Sequence, residues 1–401
     1  MSAPDLRRGA CPTLLDPMAT GDGLLARLVP ASGRFRPSEL AGLAEAAGRR
    51  GNGVVEVTAR GSFQIRGLDP SSAEALAADV ASLGIVPRTG VPVETGPLAG
   101  LDPTETADGS ALARSIAESV SRAGLAARLG PKVSVVIDGG GAVPLESTLA
   151  DIRLDAAGGG LWRLALAGTR ATATPLEEMS AREAEARTFA LLGIIAGLGR
   201  RARGRDLLTG AEQPPRRAEQ GDVPPLPVGP IALRPGESAC RLVLPFGEVA
   251  ASTLAAVANE ATALGIREIR LSPGHGLLLI GDAALAERSR ALGRRLGFVA
   301  DPGDPRLRVS ACAGAPACAS AHLDTKHLAG ELAAAMEPGA ETIHLSGCSK
   351  RCAEPKAAVR VVGTSAGHFS TGGAEMPAAE AVPAILDALR THAPSRRGHA
   401  A

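Results

Sequence analysis

The chain has 401 residues, a length that predicts more than one packed unit. Hydrophobic residues make up 45% and charged residues 21%, which is the composition of a globular protein. Its 43 basic and 42 acidic side chains nearly cancel, and aromatic residues make up only 2%, with no tyrosine. These values argue against a nucleic-acid partner, because such proteins carry a basic excess and, for single strands, aromatic stacking surfaces.

The first residues do not predict an export signal, because two arginines are followed by Pro, Asp and Gly rather than by an apolar segment. The longest apolar runs, such as LLGIIAGLG at 191–199, are far shorter than the roughly 20 residues that span a bilayer. We therefore expect a cytoplasmic protein without a membrane partner, whose thiols stay reduced unless a metal ligates them.

The chain contains an internal duplication. The segment RLVPASGRFRPSELAGLAEAA from Arg27 aligns with RLVLPFGEVAASTLAAVANEA from Arg241, a shift of 214 residues. Each copy predicts, in order, a strand, a helix with apolar residues three and four apart, a strand hairpin and a second helix. This order is typical of a ferredoxin-like half-domain, so the fold class is α+β.

A longer α/β segment follows each half-domain. The predicted domains are a first half-domain over 1–96, an α/β domain over 97–200, a linker rich in Arg, Pro and Gly over 201–230, a second half-domain over 231–304 and an α/β domain over 305–401. Two glycine runs, IDGGG at 137–141 and AAGGG at 156–160, lack the GxxxxGK phosphate-loop pattern, and we interpret both as hairpin turns.

Four of the six cysteines form two close pairs in the second copy, with the spacing C-x5-C-x29-C-x3-C; they are Cys312, Cys318, Cys348 and Cys352. Four thiolates supplied in this way suit an iron–sulfur cubane or a tetrahedral zinc ion. The gap of five residues is wide for zinc, and the Gly, Ala and Ser residues around the cysteines leave room for a larger group. We therefore favour a [4Fe-4S] cluster over zinc and over four unrelated buried thiols. Leu98 stands at the position of Cys312 in the first copy, which has lost its sulfurs.

The other two cysteines are separate from this pattern. Cys240 lies in the apolar stretch SACRLVL and is expected to be a small buried hydrophobe. Cys11 is open to interpretation as a ligand or as a packing residue.

The cysteine pattern ending in SGC-x3-C resembles the cluster motif of the nitrite and sulfite reductase haemoprotein superfamily, whose chains are also duplicated. The stretch VTARGSFQIRGL at 57–68 is similar to the T-x-R-x-x-F-Q signature of that family, with Arg60 and Gln64 on its arginine and glutamine. GPKVSVVID at 130–138 places Lys132 on a family lysine. The resemblance covers nearly the whole chain and implies a tetrapyrrole between the two halves, with Cys352 as the cysteine next to it.

Two cations of the reductase pattern are absent. Ser134 stands where the second family lysine is expected, and Val91 lies near the place of a second arginine. Reduction of a small oxyanion needs several converging cations. A sirohaem-dependent sulfite or nitrite reductase is therefore the alternative prediction, not the main one.

The stretches at 7–28 and 346–355 are similar to a branch of the superfamily that acts in aerobic cobalamin biosynthesis. This resemblance implies an enzyme, a monooxygenase that uses O2 to hydroxylate C20 of the tetrapyrrole precorrin-3A and forms a γ-lactone. It also implies a [4Fe-4S] cluster and a mononuclear non-haem iron, for which the sequence identifies no ligands. The electron donor is external, an NADH-linked reductase or a ferredoxin, since no G-x-G-x-x-G motif follows a strand.

The carboxylates of such a substrate require cationic partners. The candidate substrate-binding residues are Arg60, Gln64, Arg66, Lys132 and Lys350, and Arg60 and Lys132 are also the candidate catalytic residues. For Arg66 and Lys350 the alternative is a solvated surface charge. Three histidines close to the cysteines in sequence, namely His322, His327 and His344, are either structural or candidates for iron ligation or proton donation.

Overall fold

A computed structural model describes residues 11–208, 225–337, 339–352 and 357–392. Most of the predicted linker at 201–230 lies outside the described residues. The strands are Met18–Thr20 (β1), Gly23–Leu28 (β2), Val54–Val57 (β3), Phe63–Leu68 (β4), Val93–Thr95 (β5), Val135–Asp138 (β6), Ala150–Gly158 (β7), Leu161–Gly168 (β8), Thr174–Ser180 (β9), Gly229–Ala232 (β10), Glu237–Val243 (β11), Glu248–Ala250 (β12), Glu268–Ser272 (β13), Gly276–Asp282 (β14), Val309–Ala311 (β15), Ile343–Ser346 (β16), Val359–Ser365 (β17), His368–Ser370 (β18) and Met376–Pro377 (β19). The α-helices are Pro37–Arg50 (α1), Pro70–Ser82 (α2), Ser110–Arg122 (α3), Ala181–Leu198 (α4), Ala251–Leu264 (α5), Ala286–Arg295 (α6), Thr325–Ala335 (α7) and Ala381–His392 (α8).

The first half-domain is an antiparallel sheet in the order β1-β2-β4-β3-β12, with α1 and α2 against one face. Helix α1 begins with a proline in its first turn, and the Glu39 carboxylate accepts the backbone N–H of Arg36 at 2.7 Å. Its apolar residues repeat every three or four positions, so one stripe of the helix is buried against the sheet.

The second half-domain repeats this arrangement in the sheet β10-β11-β14-β13, packed against α5 and α6. The 214-residue shift read from the sequence carries the bounds of α1 onto those of α5. It also relates two contacts between the copies, since Val249 of β12 pairs with Val55 and Phe35 forms the corresponding bridge with Ile269. The duplication is therefore present in the three-dimensional structure and not only in the sequence.

The two half-domains share one hydrophobic core, because α1 packs directly on α5. Its fully buried side chains come from both copies and include Phe35, Leu40, Leu43, Phe63, Leu254, Val257 and Phe298. The half-domains thus form one packed body rather than two separate ones.

Each α/β domain contains a five-stranded sheet of the same plan. In the order β5-β6-β7-β8-β9 the first three strands are parallel and the rest antiparallel, and β15-β16-β17-β18-β19 follows the same pattern. Helices α3 and α4 cover the first sheet, and α7 and α8 cover the second. These findings confirm the predicted duplicated α+β architecture.

One local prediction is wrong. The run at 156–160 is the turn of the β7–β8 hairpin, as expected, with Gly158, Gly159 and Gly160 all at positive φ. The run at 137–141 is not a hairpin turn, because it follows β6 and β6 pairs with β7 in parallel. It is instead the start of a crossover connection.

In the part of the chain described here, no helix is long and apolar enough to cross a membrane.

Candidate functional site

The outer face of the first sheet carries a row of polar side chains on four adjacent strands. Arg27, Gln64, Glu56 and Glu248 are neighbours in the register of β2, β4, β3 and β12, and we call them the polar row. They point outward because the alternating residues, such as Val55 and Ile65, are buried in the core.

Hydrogen bonds connect the polar row. The Arg27 Nη2 atom donates to Gln64 Oε1 at 2.5 Å, and Gln64 Nε2 donates to Glu56 Oε2 at 2.5 Å. At the other end, the ammonium of Lys326 on α7 lies 3.8 Å from the Glu248 carboxylate. Burial lowers the pKa of Arg27 and raises the pKa of Glu248, so the row lies in a partly dehydrated environment.

The second copy keeps this polar character only in part. The 214-residue shift places Leu278 at the position of Gln64 and Ile280 at the position of Arg66, and both are fully buried in an apolar cluster with Leu98, the residue that replaces Cys312. Arg241 and Arg270 stand at the positions of Arg27 and Glu56, but they bond to residues of their own copy, Ser272 and Glu268. The centre of the row has therefore become apolar in the copy whose sheet faces no cysteine loop.

Arg66 connects the first sheet to the first cysteine pair. Its side chain is 6% exposed, its Nη2 atom lies 3.0 Å from Asp22 Oδ1, and the same Nη2 donates to the carbonyl of Ala317 at 2.5 Å. Ala317 belongs to the loop between Cys312 and Cys318. Its carbonyl also accepts the N–H of Gly21, at 3.2 Å. Arg66 is thus a buried ion-paired residue and not a solvated surface charge.

The two cysteine pairs lie in loops that leave the carboxyl ends of the neighbouring parallel strands β15 and β16. The Gly347 N–H donates to Cys312 Sγ at 3.1 Å, and the His322 N–H donates to the Gly347 carbonyl at 2.7 Å. A Cβ on Gly347 would lie 2.8 Å from the Cβ of Ala321 and 3.3 Å from the Cα of Gly314, so the loops touch through backbone. Cys312, Cys318 and Cys348 are partly buried, and Cys352 is exposed.

The two cysteine loops carry the type of ligands that an iron–sulfur cluster uses. Among the described residues, no group of three or more His, Cys, Asp or Glu side chains is arranged closely enough to hold a metal ion. Even so, four thiols on two touching loops are the donor set of a [4Fe-4S] cluster, and a backbone N–H already donates to one of the sulfurs. Ser346, the residue before Gly347, has a buried hydroxyl that finds no hydrogen-bond partner within the described part of the chain. A buried donor of this kind fits a sulfur-rich group bound at the loops.

Arg60 lies in a group of charged side chains with two residues that the sequence analysis did not single out, Glu94 and Arg88. Its Nη2 atom donates to the Leu149 carbonyl at 2.6 Å and lies 3.7 Å from the Glu94 carboxylate. Arg88 lies 3.5 Å from the same carboxylate. Arg88 and Glu94 flank Val91 in the sequence, but their charge alone does not indicate a contact with Arg60. Because Arg60 and Arg88 share the Glu94 carboxylate, part of their positive charge is neutralised.

The other predicted residues differ in their exposure. Lys132 is exposed just before β6, and Lys350 is exposed with its Nζ atom 2.6 Å from Ser320 Oγ. His344 is buried beside Ser310, with 2.8 Å between Nδ1 and Oγ, whereas His327 is exposed and lies 3.5 Å from Glu331.

Cys240 is confirmed as a buried hydrophobe, because it is 0% exposed and burial raises the pKa of its thiol to about 12. Cys11 is partly buried.

Comparisons with known proteins first define a class. Residues 16–83 match the model of the nitrite/sulfite reductase ferredoxin-like half domain. The solved structure of the Mycobacterium tuberculosis NirA protein has a TM-score of 0.70 and 19% identity, with 94% of this chain and 82% of that chain covered. The fold is therefore that of the nitrite and sulfite reductase superfamily.

The family within this class follows from a sequence relative. A precorrin-3B synthase from a Sinorhizobium species is 38% identical over 387 residues, which cover 90% of this chain and 82% of the relative. The chain belongs to the precorrin-3B synthase family.

Proposed function

We propose that the protein is an oxidoreductase, a monooxygenase of aerobic cobalamin biosynthesis that converts precorrin-3A to precorrin-3B. The 38% identity to a precorrin-3B synthase over 90% of the chain carries this proposal. One oxygen atom of O2 enters the substrate, with hydroxylation at C20 and closure of a γ-lactone, and the other leaves as water. Two electrons and two protons are therefore required, and an external NADH-linked reductase or ferredoxin supplies the electrons.

The tetrapyrrole is proposed to bind beside the polar row, with its carboxylates near the cations that reach solvent. The Arg60 side chain is 46% exposed and keeps donors available beyond its contact with Leu149. Lys132 and Lys350 are exposed as well and can approach carboxylates as point charges. Gln64 and Arg66 hold neighbouring groups in place, because both are buried and hydrogen-bonded within the protein. We propose Arg60 and Lys132 as the residues that orient the reacting part of the substrate.

The four cysteines Cys312, Cys318, Cys348 and Cys352 are proposed to hold a [4Fe-4S] cluster. Such a cluster supplies electrons one at a time, and a mononuclear non-haem iron would supply the activation of O2. The N–H of Gly347 donates to the sulfur of Cys312, a backbone contact of the kind that the sulfurs of such clusters accept. The contact of Arg66 with the Ala317 carbonyl holds the first cysteine loop against the polar sheet, so a cluster held by the cysteines would lie close to the polar row.

The first experiment is an anaerobic purification followed by absorption spectroscopy, analysis of iron, sulfide and zinc, and turnover of precorrin-3A under ¹⁸O2. We expect broad cluster absorption, about four irons per chain plus one, and a product that carries one ¹⁸O atom. Sharp sirohaem bands would instead indicate a sulfite or nitrite reductase, and zinc without sulfide would contradict both functions.

The role of Arg60 is tested by the variant Arg60→Ala with Arg163→Ala as its matched control. The two side chains are 46% and 49% exposed, and each lies near one glutamate. If Arg60 binds a substrate carboxylate, only its loss should raise KM or lower kcat for precorrin-3A, by about 10-fold for one charge-assisted hydrogen bond. Equal activity of the two variants would exclude this role.

A further inference from the structure

Ser346 is the last residue of β16, and its side chain is buried. The residue is 1% exposed, and its Oγ atom makes no hydrogen bond to any residue that the structure describes. Burying a hydroxyl without a hydrogen bond is unfavourable, so such a group in a native structure requires an explanation. The residues next to Ser346 in the sheet indicate which group its hydroxyl could contact.

The strand register places Ser346 next to Cys312. Ser310 of β15 is paired with His344 of β16, and their side chains touch at 2.8 Å, so both point to the same face of the sheet. Side chains two positions further along a strand return to this face, and those are Cys312 and Ser346. The Cys312 N–H donates to the Leu345 carbonyl at 3.0 Å, which continues the ladder up to this pair.

The strand of the first copy with the same place in the sheet as β16 is β6, and it ends at Asp138, beside Gly96. The Asp138 carboxylate accepts the N–H groups of Gly140 and Leu145, at 3.0 and 2.9 Å, and pairs with Arg153 at 3.0 Å. Among the described residues, the polar side chain that ends β6 therefore has protein partners, whereas the hydroxyl that ends β16 has none.

We propose that Ser346 is a positioning residue that donates its hydroxyl hydrogen to a sulfur of the iron–sulfur cluster at Cys312 and thereby raises the reduction potential of the cluster. The inference rests on the proposed function, because it requires the cluster. Reduction adds negative charge to the cluster, and hydrogen bonds to its sulfurs stabilise that charge. Ser346 would add a second donor to the one that Gly347 already supplies.

The test compares Ser346→Ala with Ser346→Thr, which keeps the hydroxyl, and with Ser289→Ala as a control. Ser289 on α6 is also fully buried with an unpartnered hydroxyl. The midpoint potential of the cluster is measured by a redox titration followed by electron paramagnetic resonance. The free energy of unfolding is measured for the protein with and without the cluster.

We expect Ser346→Ala to shift the midpoint potential to more negative values and to shorten the lifetime of the cluster in air, and Ser346→Thr to restore both. Ser289→Ala should leave both unchanged. Without the cluster, neither alanine variant should lose stability, because each removes an unpartnered hydroxyl.

An unchanged midpoint potential in Ser346→Ala, with wild-type iron and sulfide content, would overturn the inference and leave the proposed function intact. If Ser346→Ala fails to assemble a cluster and Ser346→Thr behaves as wild type, the hydroxyl is required at the cluster, which supports the inference. A wild-type protein without iron and sulfide would overturn the proposed cofactor together with this inference.

Discussion

At the scale of single residues, the buried pair of Arg66 and Asp22 is the strongest charged contact near the cysteine loops. Replacing Arg66 with Met removes the charged partner of a carboxylate that is only 12% exposed and leaves it with the neutral donors Thr20 and Asn52. We expect the free energy of unfolding to fall by about 3–5 kcal/mol, because an uncompensated charge stays buried. Urea denaturation measures this change.

A second substitution separates the loss of charge pairing from the loss of packing. The double variant Arg66→Met with Asp22→Asn should regain part of the stability, since it removes both charges. Arg163→Met is the exposed comparison and should cost at most about 1 kcal/mol, because its pair with Glu178 is solvated. An Arg66→Met variant as stable as Arg163→Met would show that the Asp22 pair does not stabilise the fold.

Glu105 makes the stability depend on pH. Burial, with smaller effects from Asp108, Asp102 and Asp138, raises the pKa of its carboxyl from 4.5 to about 7. Between these two values the folded chain binds more protons than the unfolded chain, so the free energy of unfolding falls as the pH rises from 4.5 to about 7.

The variant Glu105→Gln should lose this part of the pH dependence. At pH about 8 we expect it to be more stable than the wild type by about 1 kcal/mol, a value that allows for the partial exposure of the carboxyl. Denaturation curves from pH about 4 to 8 measure the effect, with Glu178→Gln as the exposed control. Equal pH profiles for the wild type and Glu105→Gln would contradict the assignment.

At the scale of elements, the contact between the two cysteine loops depends on Gly347. A Cβ at this position would lie 2.8 Å from the Cβ of Ala321, which is closer than such atoms normally approach. Gly347→Ala should therefore separate the loops and lower the iron and sulfide content of the purified protein. Gly330 on α7 is the control within the same domain, because a Cβ there meets no atom within 4 Å. Gly330→Ala should keep the cluster and stabilise the helix by about 0.5–1 kcal/mol. Equal iron and sulfide contents in the two variants would show that cluster binding does not need the contact between the loops.

The elements that the sequence predicted are those with a local signal. The three–four spacing in α1 and α5, and the constant shift between them, require no knowledge of distant contacts. The run at 137–141 was misread because glycines indicate a turn but not whether the next strand returns in parallel. Arg88 and Glu94 were missed for the same reason, since their contact with Arg60 joins parts of the chain that only the fold brings together. The domain boundaries and the roles of the site residues stay predictions.

At the scale of the whole molecule, duplication has separated two tasks. The second half supplies the cysteines, and the first half supplies the polar sheet that faces them through Arg66. At the symmetry-related place, Leu98 replaces the first cysteine and Leu278 replaces Gln64, and both belong to one apolar cluster. That place therefore has no thiol at the position of Cys312 and a partly apolar sheet, although Arg241 and Arg270 remain charged.

The shared core of the half-domains predicts that the two halves unfold together. Leu254 on α5 is fully buried in this core, and Trp162, the single tryptophan, lies in the separate core of the first α/β domain. Leu254→Ala should lower the free energy of unfolding by about 2–5 kcal/mol because it creates a cavity.

If the halves are coupled, the fluorescence of Trp162 should report the same lowered midpoint in urea as circular dichroism of the whole chain, although the substitution lies in the other copy. Leu192→Ala, within the core around Trp162, is the direct comparison. A Trp162 transition that stays at the wild-type midpoint in Leu254→Ala, while the circular dichroism transition moves, would show that the first α/β domain unfolds independently of the core that the half-domains share.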